Sequence, residues 1–170
     1  MENNKKDFKF IEKYIRKHTF GILSTADKQG KPHSVGMIYA VSPIDSNFCL
    51  YCITAKEYKK AKNIKENPNI AFVIPIPHHI LRFVPSNAIQ FQGTAEIIPI
   101  NDEVAKKAFS TKRLLRSNLA QLENPDLSLC FIKIIPHQKI HCYGIGISLM
   151  KIRKDHSLGS YTVELPSTKS

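Results

Sequence analysis

No stretch of this sequence stays apolar for the roughly 20 residues that a membrane-spanning helix requires. Nor does an apolar core follow the polar, charged residues 1–7, so no secretory signal is expected and the reading is a cytoplasmic protein. Cysteine is sparse, with four residues, Cys49, Cys52, Cys130 and Cys142, and a cytosolic chain keeps such thiols reduced. Cys49 and Cys52 have the spacing of a metal knuckle, but they sit in an apolar stretch that reads as a strand. Residues three apart on a strand point to opposite faces, and no second such pair completes a zinc site. Internal repeats, low-complexity tracts and linkers are absent too. No Ser-His-Asp arrangement, paired catalytic carboxylates or phosphate-binding P-loop can be argued from these residues.

Acidic residues are also few. Only 14 Asp and Glu stand against 25 Lys and Arg, leaving a formal charge of +11. Nucleic acid is the first suspicion for such a charge. The basic residues are spread over the first helix, residues 59–65, residues 106–116 and the tail, with no concentrated arm. A solvated basic surface, or affinity for an anionic cofactor, accounts for the charge without a nucleic-acid partner.

What remains is ordinary globular material. At 170 residues, 42% hydrophobic and 23% charged, the chain suits a single domain over residues 1–153, followed by a polar, loosely held tail over 154–170. Phe8, Ile11, Ile15 and His18 recur at helical spacing and predict an amphipathic helix over 7–17. Strands follow at 20–25, 32–41, 48–53, 70–74 and 88–98, with turn residues at 27–30 and 42–47. An irregular loop is expected over 75–85. A longer helical region begins near Asn101, with Val104, Ala108, Leu115, Leu119 and Leu122 as its buried stripe. Closing strands are expected at 127–135, 139–143 and 147–153. Many short strands with few helices argue a mainly β fold, a small barrel with helical caps.

Two places carry chemistry. At residues 54–60 a strand runs out, Thr54 and Glu57 have capping-box spacing, and Lys59 and Lys60 fall in the first turns of the helix they open. The first N–H groups of a helix lack internal partners and carry partial positive charge, so adding two lysines makes a cradle for a phosphate monoester. The plainer reading is that Thr54 caps and the lysines face water. The second place is the strand through Ser34, Val35, Gly36, Met37 and Ile38. Alternation puts Ser34, Gly36 and Ile38 on one face. Glycine in a strand marks close approach of a ligand or backbone, or room made for a neighbouring side chain.

The run Gly30-Lys-Pro-His-Ser34, then Tyr58-Lys-Lys-Ala-Lys-Asn-Ile-Lys-Glu-Asn-Pro68, then Ile89-Gln-Phe-Gln-Gly-Thr-Ala-Glu96 resembles the pyridoxamine phosphate oxidase-like superfamily of flavin-binding split barrels. The likeness covers about residues 20–98. It implies a Greek-key-like split β-barrel that pairs as a homodimer and holds FMN, or in some members the deazaflavin F420, at the subunit interface. It implies that Lys60 and Lys59 bind the phosphate, that Tyr58 belongs to the same segment, and that Ile53 and Thr54 contribute at the strand end. It also implies that Val35 to Ile38 follow the ring edge, with Gln90 on the long strand reaching the ring system. The authentic oxidase has Ser-Arg-Lys where Tyr58, Lys59 and Lys60 stand, an arginine and a lysine where Val35 and Ala40 stand, and a C-terminal tryptophan that this Trp-free chain lacks. These departures argue against vitamin B6 oxidation. Tyr143-Gly-Ile-Gly146 and Leu149-Met-Lys-Ile-Arg153 look instead like an uncharacterised bacterial subgroup.

The resemblance therefore implies a flavoprotein, an oxidoreductase taking electrons from a nicotinamide donor to a small-molecule substrate. Its alternatives are an F420-dependent reductase and a non-catalytic flavin- or haem-binding protein. Some split barrels of the superfamily bind haem, which brings His78, His79, His137 and His141 into view, though no spacing among them defines a metal site.

Overall fold

The computed structural model of the chain describes residues 6–77, 86–119 and 128–166. Seven antiparallel strands run through them: β1 Phe20–Ala26, β2 Pro32–Val41, β3 Leu50–Ala55, β4 Asn69–Ile76, β5 Asn87–Ile98, β6 Leu129–Tyr143 and β7 Ser160–Glu164. Their order is β3-β2-β1-β4-β5-β6-β7, and β3 also pairs with β6. The first six strands therefore close into a barrel, with β7 added outside the ring. This is the mainly β barrel with flanking helices that the strand pattern implies, and the split barrel that the family resemblance implies.

Alternation within each strand sorts side chains to the inside and outside of the barrel. Leu23, Met37, Tyr39, Leu50, Cys52, Phe72, Phe91 and Ile132 belong to the inner core. A second cluster lies outside β3, where Tyr51 and Phe131 pack with Ala105, Ala108, Phe109 and Leu115 from two helices. Cys49 joins that outer cluster and Cys52 the inner one, so the two thiols of the CxxC pair sit on opposite sides of the strand.

The first helix, α1 Phe8–Lys17, is capped by Asp7, whose carboxylate accepts from the Phe10 N–H at 2.9 Å. It buries Ile11 and Ile15 completely, each worth about 1.5–3 kcal/mol of apolar transfer. Its far end is held by Lys112, which donates to the carbonyls of Arg16, Lys17 and His18, a cation where the helix dipole is negative. The hairpin from β1 to β2 turns as its residues require. Asp27 Oδ1 accepts from Gln29 and Lys31, and Gly30 takes a φ of 81°, which favours glycine.

Several boundaries differ from the expectation. The region after Asn101 is two helices, α3 Glu103–Ser110 and α4 Arg113–Leu119, broken at Thr111 and Lys112 where the lysine turns back to α1. Val104 is 41% exposed, so it is not part of the buried stripe, whereas Ala108 and Leu115 are. Residues 129–143 form one strand rather than two. Pro136, opposite the β-bulge at Phe91 to Gly93, falls where β6 has left β3 and not yet met β7, so a missing N–H breaks no ladder there. The segment expected as a last strand contains the helix α5 Leu149–Lys154. Most of the tail is also structured. A 3-10 turn, His156–Gly159, leads into β7, where Val163 is buried against Ile140. β4 extends through Pro75 and Ile76 into the expected loop. His78, His79 and Leu122 lie outside the described residues. No described helix is long and apolar enough to cross a membrane.

Candidate functional site

The barrel is split between β2 and β3. Those strands pair only at Tyr39–Cys52, Ala40–Tyr51 and Val41–Leu50. Continued, the same register would set Gly36 against Ala55 and Ser34 against Glu57. Instead β3 follows β6, with the Lys56 N–H donating to Ser128 O at 2.9 Å, and the chain turns into a helix, α2 Lys59–Glu66. From Ile38 back to Ser34, β2 keeps β1 on one side and has no strand partner on the other among the described residues.

The phase of the ladder decides which groups are left open. The Tyr39 N–H donates to Thr19 O on the β1 side at 2.8 Å. Backbone direction alternates along an antiparallel strand, so Val35, Met37 and Tyr39 point their N–H and C=O groups at β1. Ser34, Gly36 and Ile38 point theirs into the split. Here is an unpaired edge of peptide donors and acceptors, the feature that a planar heterocycle can use.

At the wide end of the split stands α2. Tyr58 occupies its N-cap position and makes no side-chain cap bond, so the N–H groups of Lys59 and Lys60 receive none from it, while the Ala61 N–H donates to the Tyr58 carbonyl at 2.9 Å. The capping-box expectation therefore fails. Thr54 is still inside β3, paired opposite Cys130, and the helix starts five residues later because β3 holds its ladder with β6 through Ala55. Thr54 is 4% exposed, and its hydroxyl reaches only the Ala55 carbonyl, at a marginal 3.5 Å.

Lys60 is half-buried beside this hydroxyl's strand, near Cys52 and Cys130. Its ammonium lies 4.7 Å from the centre of the Tyr58 ring, and no described carboxylate forms an ion pair with it. Burial pulls its pKa below the ordinary lysine value, an effect that the two thiols oppose. Burial conversely pushes the Cys52 thiol up to about 12, against the pull of Lys60, so this cysteine is a neutral packing group. Lys59 is exposed.

By register Ser34, Gly36 and Ile38 flank the split on β2 and Ile53 and Thr54 lie on β3, whose chain runs on through Tyr58 to Lys59 and Lys60 at the start of α2. Val35 and Met37 line the barrel interior beneath the split, with Met37 buried and Val35 partly so. Gln90 is elsewhere. The row Gly36–Ile22–Val73–Gln90 crosses the outer face, which sets Gln90 three strand spacings away, about 14 Å. Gly36 serves a neighbour as well as the edge. A Cβ there would meet the Phe20 ring at 2.8 Å, so the glycine lets that ring lie across the strand.

Asn63 was not among the residues expected at the site. It is 3% exposed on α2, and its Nδ2 donates to Thr25 Oγ1 at 3.1 Å, seating the lysine-bearing helix on β1. An amide between Ala61 and Ile64 on the buried stripe of the helix was the available signal. Across the outer face, Ala71, Val73, Gln90, Gln92, His137, Lys139 and His141 line a shallow groove of about 530 Å³. His141 Nδ1 shares a hydrogen bond of 2.9 Å with Thr162 Oγ1.

The donor set fits a flat group with an anionic tail: an open peptide edge, a buried hydroxyl with capacity to spare, and a lysine that forms no ion pair among the described residues, although Glu57 lies near the same Cys130 thiol. A family of such proteins is also what comparison finds. The pyridoxamine 5'-phosphate oxidase family matches residues 8–138, and the chain belongs to that family. Among solved structures, General Stress Protein 26 from Bacillus anthracis is 28% identical, with 79% of this chain and 91% of that one covered at a TM-score of 0.56. The haem storage protein HutZ from Vibrio cholerae is 15% identical over 78% of this chain and 92% of that one, TM-score 0.58. An FAD-binding protein from Mesorhizobium loti is 21% identical over 76% and 87%, TM-score 0.54. Comparison with curated proteins gives no match.

Proposed function

We propose that the chain binds FMN in the split between β2 and β3 and works as a flavin-dependent oxidoreductase, with a nicotinamide donor and a small-molecule substrate. The observation that carries this reading is an open peptide edge at Gly36 and Ile38 together with a lysine, in no ion pair among the described residues, at the start of the helix that follows β3. Lys60, Lys59, Thr54 and the open N–H groups of α2 hold the phosphate. The peptide groups of Gly36 and Ile38 take the polar edge of the ring, and Ile53 faces it from β3. FMN supplies hydride or single-electron transfer, and the protein supplies position and field.

The active unit on this reading is a homodimer. Phe20 and Ile38 are 50% and 46% exposed, and with Ile22, Ala71 and Val73 they form an apolar stretch on the outer face of β2, β1 and β4. A second copy laid on this face by two-fold symmetry covers both patches at once. It also supplies the residues, Gln90 among them, that one chain holds too far from its own cleft.

The test is what the purified protein carries and what Lys60→Ala does to it. The parent is expected to be yellow and to release FMN on denaturation, and to bleach with NADH or NADPH without oxygen. Lys60→Ala should lose FMN at least tenfold more readily while remaining folded. Equal retention by the variant rules out the phosphate assignment. A released F420, or a Soret band assigned to haem, replaces FMN with the corresponding alternative. Flavin that no nicotinamide reduces leaves a storage or sensing protein.

A further inference from the structure

We propose that Tyr58 is a positioning residue, whose ring holds the Lys60 ammonium at the wide end of the split so that the cation meets an incoming phosphate already placed. The inference rests on the phosphate reading of the cleft given above.

Three observations lead to it. Tyr58 keeps 57% of its surface exposed, while its ring face lies 4.7 Å from Lys60 Nζ, within the range of a cation–π contact. It stands at the N-cap of α2, where Ser, Thr, Asp or Asn would normally bond the first N–H groups, and it makes no such bond. The side chain at this position therefore gives the helix it precedes no cap bond. It acts instead on the lysine two residues on.

The chemistry of the partner matters. A lysine on four rotatable carbons must be fixed before it can recognise an anion without losing side-chain freedom on binding. A carboxylate would fix it, but would cancel its charge and repel the phosphate. An aromatic face attracts the ammonium through its quadrupole, keeps the net charge at +1, and occupies only one side of the group. The other N–H bonds stay free. The ring also favours the charged form, against the burial that disfavours it. A phosphate arriving beside Thr54 and the open helix start then finds its cation in place.

The experiment compares FMN with riboflavin, which shares the ring but lacks the phosphate. Affinities are measured by quenching of flavin fluorescence for the parent, Tyr58→Leu, Tyr58→Phe, Lys60→Ala and the double variant Tyr58→Leu/Lys60→Ala, each checked for unchanged far-UV circular dichroism. Tyr58→Leu should weaken FMN by about 3- to 30-fold, the range of a cation–π contact, and leave riboflavin unchanged. Tyr58→Phe should retain the parental preference for FMN. Once Lys60 is alanine, Tyr58→Leu should have no further effect. Equal losses for FMN and riboflavin, or the same loss with and without Lys60, would show that the ring touches the flavin itself and overturn the proposal. A parental Tyr58→Leu variant beside a weakened Lys60→Ala overturns it while leaving the phosphate site standing. An unaffected Lys60→Ala removes the phosphate site and the proposal with it.

Discussion

The seat of α2 depends on a buried polar contact whose loss can be measured. Asn63 Nδ2 donates to Thr25 Oγ1 at 3.1 Å, and the Thr25 hydroxyl donates onward to the His33 carbonyl at 3.3 Å. Both side chains are 3% exposed, so water cannot replace a missing partner. Thr25→Val keeps the shape but strands the amide donor, which costs about 1–3 kcal/mol. Asn63→Ala leaves the threonine hydroxyl its bond to His33, and opens a small cavity, for about 1–2 kcal/mol. The double variant strands no donor, so its loss should fall short of the sum by about 1 kcal/mol. Urea unfolding followed by circular dichroism reads this directly. With a slope near 2 kcal/mol per molar, Thr25→Val should move the midpoint down by about 1 M. Losses that add to within about 0.3 kcal/mol would show that the two groups do not hold each other, and would refute the account of how α2 is fixed to β1.

Two further outcomes follow from the cleft and the face beside it. FMN affinity should fall as pH rises toward the ordinary lysine value of 10.5, and begin to fall earlier than an ordinary lysine would allow, because burial lowers the pKa of Lys60 and only its charged form holds the phosphate. Lys60→Arg should bind with little change over that range, riboflavin serving as the control, and a parent as flat as the arginine variant would contradict the role given to Lys60. Phe20→Glu should abolish the proposed dimer at micromolar concentration by sedimentation, since each two-fold contact would carry the charge twice; a dimer that persists places the interface elsewhere.

Much of this was legible in the chain because its strands alternate. β2 was bounded as found, and β1, β4 and β5 within two residues at each end, since each has one face in the barrel core and a slip of one residue would reverse it. The start of α2 was not legible. Thr54 and Glu57 satisfy the spacing of a cap, but a hydroxyl inside a strand satisfies it equally, and only the ladder to β6 tells the two apart. The same holds for residues 129–143, expected as two strands, where Pro136 proves to be a place in one strand without a neighbour on one side. At the cleft, the lysines and the glycine strand were visible as residue types. That β2 and β3 part on the N-terminal side of Tyr39 was not, because strand separation leaves no mark on composition. The distance of Gln90 from the cleft is likewise a matter of strand order, which local pattern does not contain.

The parting of β2 from β3 makes one strand behave as two in deuterated solvent. The amides of Val35, Met37 and Tyr39 face β1 and should exchange slowly, while those of Ser34, Gly36 and Ile38, interleaved with them, should exchange as quickly as a loop. A residue-by-residue record along β2 would therefore be a sawtooth, and a ligand lying in the opening would fill only its troughs.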